Sequence, residues 1–269
     1  INGNYSKMLF QEKIRKEFLE INNRKEGPIL EGDEELIWSY GVDTDDTKFK
    51  AFESVSLGRL NNVNWSSRNN TNILNSQKAL AKLQEIYLLY TSNMIGNEHN
   101  LILNYNLLSN YDSSLRDKWL IFDILLMSLT AEHAMRPHNR KFYWSVLYDG
   151  FEPIYYDGNS RIINICKSEI IDPNLISFGD YDIRIINNFI NNDIFFKIQN
   201  KLEELKKNKK FINKINLEMN ISKNILVDKI NIILNNNKCL KNFFDKQEKI
   251  NLNKYNNKKT KKSFYSRLE

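Results

Sequence analysis

The sequence predicts an α+β fold that is predominantly helical, and three observations point to it. Apolar residues recur at helical spacing along most of the chain. Two short runs of β-formers flank Tyr148-Asp149-Gly150, which reads as a hairpin. The C-terminal quarter is again helical in period, and basic. With 269 residues, 41% hydrophobic and 12% aromatic, the chain can bury a sizeable core in one or two domains. Three parts are expected: residues 1–111, helical and irregular; residues 112–200, a core; and residues 201–269, a basic helical region ending in a frayed tail.

Taken in order, Ser6 to Asn22 carries Met8, Leu9, Phe10, Ile14, Phe18, Leu19 and Ile21 at near-helical spacing, and Gly27-Pro28 breaks the pattern. Residues 29–75 are rich in Asp, Asn, Gly and Ser and read as irregular with short strands, anchored by aromatics such as Trp38 and Trp65. Ser76 is the expected cap of a helix to about Ser92, with Leu80, Leu83, Ile86, Tyr87 and Tyr90 on one side. Asp112 or Ser113 caps the next, which is apolar almost all round from Trp119 to Leu129, as suits a central buried helix. Pro137 then forces a departure from helix. Strands are expected at Phe142–Val146 and Glu152–Tyr156, with a further strand at Arg161–Ile165. Helices follow over Ile183–Leu205 and Ser222–Leu234, the latter capped by Ser222 with Leu226, Ile230 and Ile233 on one face.

The formal charge of +6 is unevenly spread. Residues 201–269 hold 18 Lys and Arg against 7 Asp and Glu, and residues 1–200 hold 21 against 26. Stretches such as Lys206-Lys207-Asn208-Lys209-Lys210 could attract nucleic acid or an anionic lipid surface. No reader motif or aromatic interleaving accompanies them, so a solvated helix face is the favoured reading. The longest dense apolar run, Trp119 to Leu129, is 11 residues and contains Asp123, well short of the roughly 20 a membrane span needs, so a soluble domain is expected. Cys166 and Cys239 match no metal or redox spacing and read as two unpaired thiols. Asn occurs 40 times, which resembles the codon bias of an AT-rich genome more than a structural demand. The chain starts at Ile1 with no basic-then-apolar leader, so a portion upstream is expected.

Polar chemistry concentrates in Glu132-His133-Ala134-Met135-Arg136-Pro137-His138-Asn139, which holds two of the three histidines. A hairpin turning near residues 148–150 brings Asn139, before its first strand, beside Asp157, after its second. Two oxygen ligands would meet there. Mg²⁺ takes hard oxygen donors and often only one or two from the protein. An Asn carbonyl with an Asp carboxylate fits that requirement.

A buried helix, a loop ending in Arg136-Pro137-His138-Asn139, a hairpin and then Tyr156-Asp157-Gly158 follow the order of the catalytic and metal-binding segments of the protein-kinase C-lobe. Over residues 112–165 the chain resembles the kinase-like superfamily, most closely the bacterial atypical kinases of the HipA and CotH types. The resemblance implies a protein-kinase-like C-lobe whose hairpin carries the metal site, with residues 1–111 an N-lobe remnant or lobe connection. It implies an ATP- and Mg²⁺- or Mn²⁺-dependent phosphotransferase acting on a hydroxyl, such as a protein Ser/Thr or a small molecule. Asn139 and Asp157 match the two metal ligands, with His138 beside them at the nucleotide, and Arg136-Pro137 matches a Lys-Pro pair, putting Arg136 on the transferring phosphoryl group. The position of the catalytic Asp, five before the Asn, is Ala134, so Glu132 or His133 is the candidate base. No Gly-x-Gly occurs among the nine glycines, so much of the N-lobe is expected upstream or built differently; Lys48 and Lys50 are the candidates for a phosphate-binding Lys. HipA-type relatives act in the cytoplasm and CotH-type relatives at cell surfaces, which leaves the compartment open.

Other readings compete. Without a base, the chain would be a pseudokinase. A helical binding module could dock a partner or polyanion through the basic C-terminal region. His133 and His138 with Glu132 and Asp157 could hold Zn²⁺ or Fe²⁺ in a hydrolase-like site.

Overall fold

A computed structural model describes residues 14, 16–33, 57–94, 103–166 and 192–265 of the chain. Its elements are α1 (Lys16–Ile21), β1 (Ile29–Gly32), β2 (Gly58–Leu60), α2 (Val63–Ser66), α3 (Asn70–Met94), α4 (Tyr105–Leu108), α5 (Ser113–Ser128), two 3-10 turns (Glu132–Met135 and Pro137–Asn139), β3 (Lys141–Ser145), β4 (Gly150–Ile154), α6 (Asn192–Lys207), α7 (Lys209–Met219) and α8 (Lys223–Tyr265). The architecture is α+β and mostly helical, with one small sheet of order β2-β1-β3-β4, antiparallel throughout.

The sheet's two faces differ because strand side chains alternate. Leu30, Phe142, Trp144 and Phe151 point to the helical side and join Leu83 and Tyr87 of α3 and Trp119 of α5 in the main core. Trp119 Nε1 donates to the Phe151 carbonyl at 2.6 Å, fixing α5 under β4. On the other face Ile29, Tyr143 and Ile154 pack against Leu19 of α1 as a smaller cluster. The helical side extends through Ile194, Ile198 and Leu202 of α6 to a stripe on α8, Ile230, Ile233, Leu234, Leu240 and Phe244, at the three-to-four-residue spacing that keeps one helix face inward.

Several boundaries depart from the sequence reading. The expected helix from Ser76 begins at Asn70 instead, with Ser76 inside it, buried and hydrogen-bonded to the Ser66 hydroxyl at 2.7 Å. The Ser side chain has a tertiary partner and is not a cap. Asp112 does cap α5, accepting from the Leu115 amide at 2.8 Å, and Ser222 caps α8 through the Ile225 amide at 3.3 Å. Both hairpin strands start earlier than expected, by one residue for β3 and two for β4, around a turn at residues 146–149. Residues 161–164 form no strand; the Ile162 amide donates to the Leu129 carbonyl at 3.1 Å, and side chains of α8 bond the rest. The N-terminal helix is described only from Lys16, and Lys48 and Lys50 lie outside the described residues. No helix among the described residues is long and apolar enough to cross a membrane.

The cysteines are not free thiols. Cys166 and Cys239 form a disulfide, with Cα atoms 6.0 Å apart and a sequence separation of 73. Spacing alone could not reveal it, since the helix that carries Cys239 returns to the Cys166 segment only in three dimensions. Closing so long a loop stabilises the fold by roughly 4 kcal/mol through the unfolded chain.

Among the described residues the most buried charges are Asp123 and Arg140, whose side chains are 1% and 2% exposed. Both guanidinium Nη atoms lie 3.0 Å from the carboxylate, Nε donates to the Met135 carbonyl at 2.9 Å, and the Tyr105 hydroxyl donates to Asp123 at 2.8 Å. Burial works against the Arg140 charge, but the adjacent carboxylate outweighs it and holds the guanidinium above its ordinary value. Removing one partner strands the other charge. Arg140→Met or Asp123→Leu alone is expected to lose about 3–5 kcal/mol in urea unfolding, and the double variant less than the sum of the two; additive losses would show that the groups do not interact.

Candidate functional site

The loop after α5 starts from a helix end closed without glycine. Thr130 adopts φ 50°, with its amide donating to Met127 O and the Ala131 amide to Leu126 O, the paired bonds of a Schellman ending. A β-branched residue is uncommon there. The chain turns sharply into two 3-10 turns, and Pro137 sits at the first position of the second, where its lack of an N–H costs nothing.

Three neighbours pin this loop. The Tyr87 hydroxyl donates to the Pro137 carbonyl at 2.7 Å, Arg140 holds Met135, and the Gly32 amide donates to Arg140 O at 3.0 Å. Gly32 passes so close that an added Cβ would lie 2.6 Å from His138 Cα. Only glycine permits β1 to support the loop at this distance.

Within the loop, Asn139 is 3% exposed and its Nδ2 donates to the His133 carbonyl at 3.0 Å. Oδ1 is therefore the atom left to meet a ligand. Across the hairpin, Lys141 pairs with Ile154, so two residues further out Asn139 is level with Tyr156 and one step from Asp157. Asp157, at φ 40°, brings Oδ2 to 3.3 Å from His133 Nε2. Asn139 and Asp157 thus each contact His133, Asn139 at its backbone carbonyl and Asp157 at its ring. The two side chains of that contact are 37% and 52% exposed, so the cluster opens to solvent. His138 is buried, edge-to-face with His133 at 6.5 Å between ring centroids. Arg136 is half-buried between the two turns, Ala134 is buried, and Glu132 opens the first turn with its backbone.

Among the described residues, no three His, Cys, Asp or Glu side chains converge as metal ligands. The donor set at the hairpin mouth is one amide oxygen and one carboxylate, which are hard oxygen ligands. A cavity of about 480 Å³ opens elsewhere, on the α1 side of the sheet beside Ile29 and Trp65, and contains none of these residues.

Beside the mouth, the sheet carries an ion cluster that sequence reasoning missed. Glu31 lies in register between Arg59 and Lys141. Arg59 Nε is 2.9 Å from Oε1, Lys141 Nζ bonds Oε2, and Asn61 Nδ2 donates to Oε2 at 2.6 Å. Lys141 also stands 3.8 Å from the centroid of the Tyr156 ring, next to Asp157. Register between two strands far apart in sequence assembles this group, and no local motif announces it. Asp123 did leave a signal, a lone carboxylate inside the apolar run Trp119–Leu129, which demands a buried partner.

Comparison with protein-family models, with characterised proteins and with solved structures finds no match to this chain. The site is therefore interpreted from its own chemistry.

Burial raises the Glu31 pKa, but its bonds to Lys141 and Arg59 outweigh this and leave it below the ordinary carboxylate value. Its stabilisation is thus complete above about pH 4.3, the unfolded value, and is lost as pH falls through the lower folded value. Glu31→Gln is expected to flatten the acid limb of a stability-against-pH curve below about pH 4; an unchanged limb would remove Glu31 from the acid response.

Proposed function

We propose that this chain is an atypical kinase, an ATP- and Mg²⁺-dependent phosphotransferase acting on a hydroxyl acceptor, with a C-lobe of the protein-kinase type. The observation that supports the reading is that Asn139 and Asp157 both contact His133 at the mouth of the β3–β4 hairpin. Asn139 Oδ1 and the Asp157 carboxylate would hold the metal. The metal, when bound, supplies charge neutralisation for the nucleotide phosphates. The remaining work falls to the loop. Arg136 offers a permanent positive charge for the phosphoryl group. His133 is the general base in this reading, standing next to the position where the kinase pattern has Asp and this chain has buried Ala134. Its ring contacts Asp157 through Nε2, which leaves Nδ1 to take the acceptor's proton. The pinned loop holds these groups in place before substrate arrives.

Thermal-shift titration with ATP and Mg²⁺ or Mn²⁺ tests the reading. A metal-dependent stabilisation is expected for the wild-type chain and is expected to vanish in Asp157→Ala; equal shifts in both proteins would sink the assignment. His133→Gln is expected to retain part of the nucleotide-dependent shift while phosphoryl transfer to a generic acceptor such as casein falls about 100-fold or more. Wild-type binding with no transfer would make the chain a pseudokinase.

A further inference from the structure

Residues 155–164, which follow β4 and carry Asp157, form neither helix nor strand. Asp157, Asn159 and Ile162 all take positive φ, near 40–45°. That conformation is disfavoured for Ile in particular, so the surroundings must hold it. The Ser160 hydroxyl and the Ile162 amide donate to the Leu129 carbonyl at 3.0 and 3.1 Å, and the residues that follow are held by α8. Asn236 is fully buried, and its amide does three things at once: Nδ2 donates to the Ser128 carbonyl at 2.9 Å and the Ile163 carbonyl at 2.7 Å, and Oδ1 accepts from the Ile165 amide at 3.0 Å. Asn235 donates to Asn164 at 3.2 Å, and Lys229 to the Ile162 carbonyl at 3.2 Å. The Cys166–Cys239 bridge closes the attachment covalently, one turn further along the helix.

Ser128 ends the helix that leads into the Asn139 loop, and Ile163 and Ile165 end the segment that begins beside Asp157. Asn236 therefore ties the C-terminal end of α5, which leads into the Asn139 loop, to the end of the segment that begins beside Asp157. We propose that Asn236 is a positioning residue for Asp157, and that the Cys166–Cys239 disulfide makes this positioning redox-dependent. The link to metal and nucleotide rests on the function proposed above. Reduction by a dithiol breaks the Sγ–Sγ bond, puts one electron and one proton on each sulfur, and leaves the reductant as its own disulfide. Both cysteines are half-buried, within reach of such a reagent. Because disulfides persist in oxidising surroundings, the working form of the chain belongs to such a compartment.

The test compares oxidised wild type, the same protein reduced with dithiothreitol and then reoxidised, Cys166→Ser/Cys239→Ser, and Asn236→Ala. Each is followed by amide hydrogen exchange and by Mg·ATP titration. Peptides covering 155–166 are expected to exchange faster after reduction and in both variants, while α3 peptides are unchanged. The Mg·ATP concentration at half-maximal shift is expected to rise about tenfold and to recover on reoxidation, which a general loss of stability would not produce. Equal exchange of 155–166 in oxidised and reduced protein, or free thiols in chain purified under alkylating conditions, overturns the tether. Faster exchange with unchanged Mg·ATP binding overturns the positioning role. If no form responds to Mg·ATP, the kinase reading and the positioning role fall together, and the exchange data alone decide the tether.

Discussion

Buried Arg140 joins the central helix, the site loop and the sheet through its guanidinium and its backbone. A charge so far from water must be paired and hydrogen-bonded, and the guanidinium meets that requirement from two directions while the Arg140 backbone makes a third link. Its Nη atoms take Asp123 of α5, its Nε takes the loop carbonyl of Met135, and its own carbonyl receives the Gly32 amide of β1. Central helix, site loop and sheet therefore cannot shift independently. The planar fork of arginine suits the role, since a lysine could not satisfy a carboxylate side-on while also reaching a carbonyl.

The sheet then separates two environments. Its helical face is closed by aromatic contacts, including Trp144 against Phe151 at 4.8 Å and Trp119 against Phe142 at 5.6 Å between centroids. Its other face alternates apolar residues with ion clusters. Besides Glu31, Glu152 receives Arg24 Nε at 3.0 Å and Lys118 Nζ at 3.2 Å. One cluster sits by the mouth of the hairpin and the other further along it, so the small sheet is locked by charge on the side that helices leave partly uncovered. The Lys141 stack on Tyr156 then extends this lock to the residue beside Asp157.

The scaffold was legible in the sequence where one periodicity ran uninterrupted. The inward faces of α3, α5 and α8 follow from residue spacing, as does the antiparallel hairpin from two β-rich runs around a turn. The hairpin register also puts Asn139 level with Tyr156, because pairing is local and its register constrains both flanks. Legibility ended where the partner was remote. Ser76 had the chemistry of a cap and was used for a tertiary bond; Arg161 to Ile165 had the composition of a strand and found no strand to pair with. The disulfide depends on a chain return that spacing does not encode. Glu31 needed the pairing of three strands, one of them supplied by residues 58–60.

Asparagine best shows why the site was harder to find than the scaffold. Its abundance carries no periodic signal, yet Asn104 and Asn208 cap helices, Asn62 bridges the Ile29 amide and the Gly27 carbonyl, and Asn235, Asn236 and Asn237 each bond a different partner. An amide that both donates and accepts can complete backbone groups that neither helix nor strand has satisfied. Regular elements satisfy their own backbones and need only an apolar face to be placed. Irregular segments such as 130–140 and 155–166 cannot, so they depend on side chains arriving from elsewhere in the chain. A proposed site built from two such segments is held by residues distant from it in sequence, so local spacing names its candidate groups and only contacts show what supports them.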